Sequence, residues 1–238
     1  MPGPDTPDAV RRPIAPLPPL RPPGAWRDVP ILGVDEPLVD VGDIGPAVVD
    51  DPRYHAMGLP GARPRNVVRE GVAERLERVA KGLPDGLRLV VWDGWRAIET
   101  QRALYDGWMG ELRAAHPSWS RDRLEAETAR YVSVPSADPV CPAPHITGGA
   151  VDLTLGDGDG RPLDLGTHFD AFVPEAGAAA LEETPGAARD LRRVLFWSMA
   201  AGGFTAYVEE WWHFDFGDQF WGSILGVPAR YGPVAPQA

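Results

Sequence analysis

Hydrophobic positions along the chain alternate between two periods. In "RPRNVVREGVAERLERVAKGLPDG", Val67, Val68, Val72, Leu76 and Val79 recur at helical spacing with charges between them. That pattern predicts an amphipathic helix, stopped by Gly82 and Pro84. "LRLVVWDGW" is a short apolar run bounded by glycine, as in a buried strand. "IETQRALYDGWMGELRAAH" and "SRDRLEAETARYV" predict two further helices, the second with Ser120 placed to cap it. Next, Val151, Leu153 and Leu155 alternate with Asp152 and Thr154, and the following DGDG predicts a tight return. In "TPGAARDLRRVLFWSMAAGGF", Thr184 is placed to cap a helix, Pro185 to open it and Gly202 to stop it. The run "EEWWHFDFGDQFW", Glu209 to Trp221, then reads as a buried aromatic strand. Helices followed by strands, with one more helix between strands, predict an α+β fold in a single domain.

Residues 1–25 break this pattern. They are proline-dense and poor in large side chains other than leucine, so they favour extended conformations and build no core. We expect a flexible tail or a surface strap there, and a globular domain over 26–238. No run of about 18 apolar residues occurs, so no membrane-spanning helix is expected. The N-terminus also lacks the continuous apolar segment of a secretory signal. A single cysteine, Cys141, excludes an intrachain disulfide framework and a cysteine-based zinc site. A cytoplasmic location is the corresponding expectation. The formal charge of −11, with 23 basic residues of which only Lys81 is a lysine, argues against nucleic acid or an anionic membrane surface as partner. The sequence carries no signal for oligomeric state.

Five histidines are present, and two stand in company. His145 precedes a glycine turn and lies seven residues before Asp152, a carboxylate that interrupts an apolar strand; His213 follows Glu210 by three residues. Zinc accepts imidazole nitrogen and carboxylate oxygen, and a catalytic zinc takes three protein ligands. His145, Asp152 and His213 would supply that set, with Glu210 the nearest base for a metal-activated water. Residues three apart on a plain strand face opposite sides, so Glu210 and His213 converge only across a bend or bulge. His55 and His116 show no partner pattern, and His168 reads as a surface or supporting residue. A thiol nucleophile at Cys141 paired with His145 is a poor alternative, because no helix N-terminus activates the thiol.

The segments "PHITGGAVDLTL" and "EWWHFDFGDQFW" resemble the two zinc motifs of the VanX-type D-alanyl-D-alanine dipeptidases, relatives of the D,D-carboxypeptidases and of the hedgehog-like zinc fold. The family pattern S-x-H-x-x-G-x-A-x-D maps onto Ala143 to Asp152, and E-x-W-H onto Glu210, Trp212 and His213. "WDGWRA" resembles the family's W-D-G-Y-R-P, and "LGTHFD" and "FWSMAAGGF" are similar to family segments, so the resemblance spans roughly residues 26–225. It implies a small antiparallel sheet carrying a zinc site, with helices packed on it. It also implies zinc on His145, Asp152 and His213, Glu210 as general base, and Arg96 stabilising the negative charge of the tetrahedral intermediate.

By the residues alone, Arg96 could equally form a structural ion pair with Asp93. Asp170 matches a family position near the substrate and would receive a dipeptide ammonium, or would cap a loop. Trp212, with Trp211, would line or support the pocket. Three departures stand out: Ala143 replaces the serine of the first motif, Ala97 the proline after the arginine, and Trp95 the tyrosine before it. The resemblance implies a small D-amino-acid dipeptide, D-alanyl-D-alanine first, as substrate. The alternatives are an amide hydrolase for another small peptide of peptidoglycan recycling or specialised metabolism, and a zinc-binding relative without catalysis.

Overall fold

The structure is a computed structural model and describes residues 14–236. Its centre is the apolar run 88–93, which becomes strand β4 (Arg88–Asp93), flanked by β2 (Val48–Asp50) and β5 (Ala150–Gly156). β7 (His213–Asp215) and β6 (Thr205–Ala206) complete a five-stranded sheet in the order β2-β4-β5-β7-β6. All its pairings are antiparallel except β2 on β4, which is parallel. A two-stranded antiparallel sheet joins β1 (Leu38–Asp40) to β3 (Val67–Arg69).

Helices α2 (Glu70–Gly82) and α5 (Ala187–Ala201) pack on each other and on the sheet through Val72, Leu76, Val79, Leu191, Leu195 and Met199. Burial of this apolar stripe is the main favourable term, at roughly 1.5–3 kcal/mol for each large side chain removed from water. α3 (Ile98–Ala115) and α4 (Arg121–Tyr131) form a second pair. Short helices α1 (Arg53–Ala56) and α6 (Gln219–Leu225) complete the fold.

The helix expected from Val67 starts three residues later. Val67 and Val68 belong to β3, and Arg69 is the residue before the first helical turn. Val68 is four residues from Val72 and both are fully buried, so strand and helix share one uninterrupted apolar rhythm. Ser120 caps α4, its hydroxyl accepting from the Arg123 amide at 3.3 Å. Thr184 does not cap α5: the helix begins at Ala187 after Gly186, with no side-chain cap, while the Thr184 amide donates to the Leu181 carbonyl in a preceding turn.

The aromatic run 209–221 is only briefly a strand. β7 covers three residues, Gly217 turns the chain at φ 76°, and Asp218 caps α6 by accepting from the Trp221 amide. The expectation for residues 1–25 falls partly outside the described residues. From Ile14 onward the segment touches α5: the carbonyls of Ile14 and Ala15 accept from Arg193 and Trp197.

Candidate metal centre and active site

The sheet register builds the site. Asp152 on β5 pairs with His213 on β7, and on its other side with Asp93 on β4, where the register shifts between Val91 and Asp93. Such an irregularity re-aims a side chain, and here it puts three titratable residues in one row across neighbouring strands. His145 comes from outside the sheet, on the one-turn 3-10 helix Pro144–Thr147. Gly148 ends that turn at φ 71°, a conformation costly for any residue with a Cβ. Thr147 locks it, its hydroxyl donating to the Pro144 carbonyl and accepting from the Gly149 amide.

His145, Asp152 and His213 offer ligand atoms that all lie within 4.8 Å of one another, and all three are buried. His145 Nε2 lies 3.3 Å from His213 Nδ1 and 3.4 Å from Asp152 Oδ2, and His213 Nδ1 lies 2.9 Å from Asp152 Oδ1. The outward nitrogens are held as ligand imidazoles usually are. His145 Nδ1 faces the Gly94 carbonyl at 2.8 Å, and His213 Nε2 faces Asp215 Oδ1 at 3.0 Å. Two imidazoles and a carboxylate, each with one face turned to a common point, suit a cation of borderline softness such as zinc.

Electrostatics agree with that donor set. Burial opposes charge on His213, but Asp215 and Asp152 outweigh it and hold the imidazole well above its ordinary pKa. Burial would raise Asp152, yet the two histidines draw it below the usual carboxylate range. The crowded donors therefore attract positive charge.

Arg96 makes the structural ion pair and also reaches the site. Its Nε donates to Asp93 at 2.8 Å, Nη1 to Gln101 at 2.9 Å, and Nη2 to Asp152 at 3.0 Å and to the Tyr54 hydroxyl at 3.4 Å. The Tyr54 hydroxyl in turn donates to Asp170 at 3.2 Å. Asp170 sits at φ 57°. Burial first, and the nearby Asp152 charge second, push its carboxyl up to about 7.

Glu210 lies in the loop before β7, not in a strand. The turn through Trp211 and Trp212 carries it round to the cleft that His213 enters, so the required bend is a turn rather than a bulge. Burial pushes the Glu210 carboxyl well above the carboxylate range, with partial relief from His213.

These side chains line one cleft of about 490 Å³ counted with its open mouth, walled by α3, the end of α4 and Tyr207. Trp212 is not on that wall. It is 1% exposed, its ring packed against Phe169 and Trp211. Trp211 is buried as well and donates from its indole nitrogen to Thr167, so both tryptophans are core. A residue in the turn ahead of a three-residue strand need not follow strand alternation, which is why the pocket role fails. Cys141 lies outside the cleft lining. His55 and His168 are exposed, and His116 stacks on Trp119. Tyr54, Gln101, Asp215 and Tyr207 were not anticipated. For Asp215 a signal existed, because two residues on from His213 in a strand is the same face.

A sequence profile of the peptidase family described as D-ala-D-ala dipeptidase matches residues 40–234. The chain belongs to this family. It is therefore a metallopeptidase of dipeptidase type, in a family that depends on zinc. A D-alanyl-D-alanine dipeptidase of Synechocystis is 28% identical over 228 residues, covering 85% of this chain and 90% of the relative. The D-alanyl-D-alanine dipeptidase of Escherichia coli is 32% identical over 130 residues, 55% of each chain. Among solved structures, VanYB in complex with D-Alanine-D-Alanine superposes loosely, with TM-score 0.43 and 18% identity over 69% of this chain and 81% of that one. Among the described residues, no helix is long and apolar enough to cross a membrane.

Proposed function

We propose that this family member hydrolyses D-alanyl-D-alanine, with zinc held by His145, Asp152 and His213 and with Glu210 as general base. The observation that carries the reading is the shared cleft: Glu210, a carboxylate with raised proton affinity, lines the same cavity as the convergent donor set. A protein that only stored metal would have no use for a fourth, unligated carboxylate buried there, since burying it costs free energy.

A zinc ion bound there supplies an acidified water and a polarised carbonyl. The remaining work belongs to side chains. Glu210 takes the water proton and returns it to the leaving amine, a role suited to a carboxyl whose proton affinity is raised by burial. Arg96 has five N–H groups, and the contacts to Asp93, Gln101, Tyr54 and Asp152 occupy four. The remaining Nη1 hydrogen supports charge developing on the substrate oxygen. Asp170, on the wall beside Tyr54, receives the substrate ammonium, and that cation lets it ionise.

Supporting the substrate are the family match and the relatives' names. Ala143, buried just ahead of the turn that carries His145, offers no hydroxyl there. A different small peptide, from peptidoglycan recycling or specialised metabolism, is the second reading. The catalytic domain begins near Trp26, residues 14–25 serving as a strap that reaches α5, and the enzyme works in the cytoplasm on a cell-wall precursor dipeptide. The deciding experiment is turnover of D-Ala-D-Ala beside L,L, L,D and D,L dipeptides and N-acylated analogues. Preference for the D,D dipeptide with a free amine is expected. Equal or better turnover of an acylated or L,L substrate would reject the assignment.

A further inference from the structure

A dipeptide is a zwitterion, so a dipeptidase cleft needs one group for the ammonium and another for the terminal carboxylate. The charged residues lining this cleft are Asp152, Asp170 and Glu210 on one side of the ledger and Arg96 and Arg130 on the other, besides the two histidines. Arg96 is buried and committed to Asp93, Asp152 and Gln101. Ala143 is buried and has no side-chain donor. Arg130 differs in every respect. It is the penultimate residue of α4, and its side chain is 41% exposed.

Its present partners are replaceable. Nη2 lies 2.7 Å from Glu209 and Nη1 3.5 Å from Glu127, both carboxylates partly in solvent. Pairs of that kind contribute little and are screened by water. The root of the side chain, by contrast, is anchored independently, because the Tyr207 hydroxyl donates to the Arg130 carbonyl at 2.7 Å. Tyr207 also lines the cleft. The backbone is thus pinned at the wall while the guanidinium can leave Glu209 for a better acceptor. A free carboxylate offers the two-pronged geometry that guanidinium matches and that lysine does not.

We propose that Arg130 is the specificity-determining residue that binds the substrate's C-terminal carboxylate, with Glu209 as the surrogate it releases. This deepens the dipeptidase reading above and rests on it. Free-acid substrate is preferred over the same dipeptide with an amidated C-terminus, and the preference resides in KM.

The test compares D-Ala-D-Ala with its C-terminal amide on the zinc-loaded wild type, Arg130→Ala and Glu209→Gln. Binding of both ligands to zinc-loaded Glu210→Gln protein, with and without Arg130→Ala, is followed by calorimetry. Arg130→Ala should cut the acid-to-amide ratio of kcat/KM by about 10- to 100-fold, the scale of a charge-assisted hydrogen bond, through KM on the acid alone. Glu209→Gln frees the guanidinium and should lower KM for the acid while leaving the amide unchanged. If Arg130 merely braces the loop that carries Glu210, both variants would slow acid and amide alike, and the proposal is overturned. It is equally overturned if wild type turns over or binds both ligands with the same constants. If wild type hydrolyses neither ligand, the dipeptidase reading fails; acid binding that still depends on Arg130 would then uphold the carboxylate site, and absence of binding would end both.

Discussion

Asp215→Asn probes the layer of the site that holds no metal itself. Asp215 is fully buried, and its Oδ1 accepts from His213 Nε2 at 3.0 Å. Beside it, Asp218 is pushed well above the carboxylate range, by burial first and the Asp215 charge next. The Asp215 carboxylate bears directly on His213 and raises its proton affinity. Outer partners of ligand histidines are worth about 10–100-fold in metal affinity, or about 1.4–2.7 kcal/mol. Asparagine keeps the shape and one acceptor oxygen, so the substitution removes mainly charge. That charge also strengthens the proton's hold on His213, whose pKa it raises, and at neutral pH zinc must displace that proton. Removing the charge weakens the metal and its competitor together. The loss of zinc affinity should then be near the lower limit, about tenfold, at neutral pH, and should grow toward about 100-fold as pH rises past the His213 pKa. Competition against a chromophoric chelator across a pH series measures it, with thermal unfolding of the metal-free protein as control. A loss that shrinks with rising pH, or affinity unchanged at every pH, would refute the arrangement of His213 between Asp215 and the metal.

Two further outcomes follow from the same geometry. Glu210→Gln should retain about one zinc per chain, as the three-ligand set requires, while kcat falls by about 10²–10⁴, the range of a lost general base; metal content by atomic absorption and steady-state kinetics decide it, and activity within a few-fold of wild type assigns the base elsewhere. Asp170→Asn tests the raised carboxyl. A folded-state pKa of about 7 against an ordinary 3.8 means that the native state loses stability as pH rises from about 4 through 7, and the loss is complete above. The metal-free variant, whose asparagine tolerates the positive φ, should unfold at a higher temperature than wild type at pH 8, with the gap closing toward pH 4; a pH-independent gap would show that Asp170 is not the titrating group.

What the sequence made legible, and what it hid, follows from the range of each interaction. The donors His145, Asp152 and His213 were readable because short local patterns carry them: a glycine-ended turn, an acid in an apolar alternation, a histidine in an aromatic run. Their assembly needed the register of β4, β5 and β7, and the shift that places Asp93 opposite Asp152 has no local signature. For Arg96 the residues alone leave ion pair and active-site group equally open, and only the family resemblance favours the second. The structure shows these to be one arrangement, because the guanidinium that closes on Asp93 is aimed by it at Asp152. Trp212 and the start of α2 were misplaced for a common reason. Burial alone does not distinguish the wall of a pocket from the core behind it, nor a strand from the helix that continues its apolar rhythm. Tyr54, Gln101 and Tyr207 lie 42, 5 and 77 residues from the partners that give them meaning, Arg96, Arg96 and Arg130. Gln101 alone was within local reach, one helical turn beyond Arg96. Tyr54 and Tyr207 gain their roles only when the sheet closes, and that closure turns three motifs into a cleft with an acid end and a basic rim.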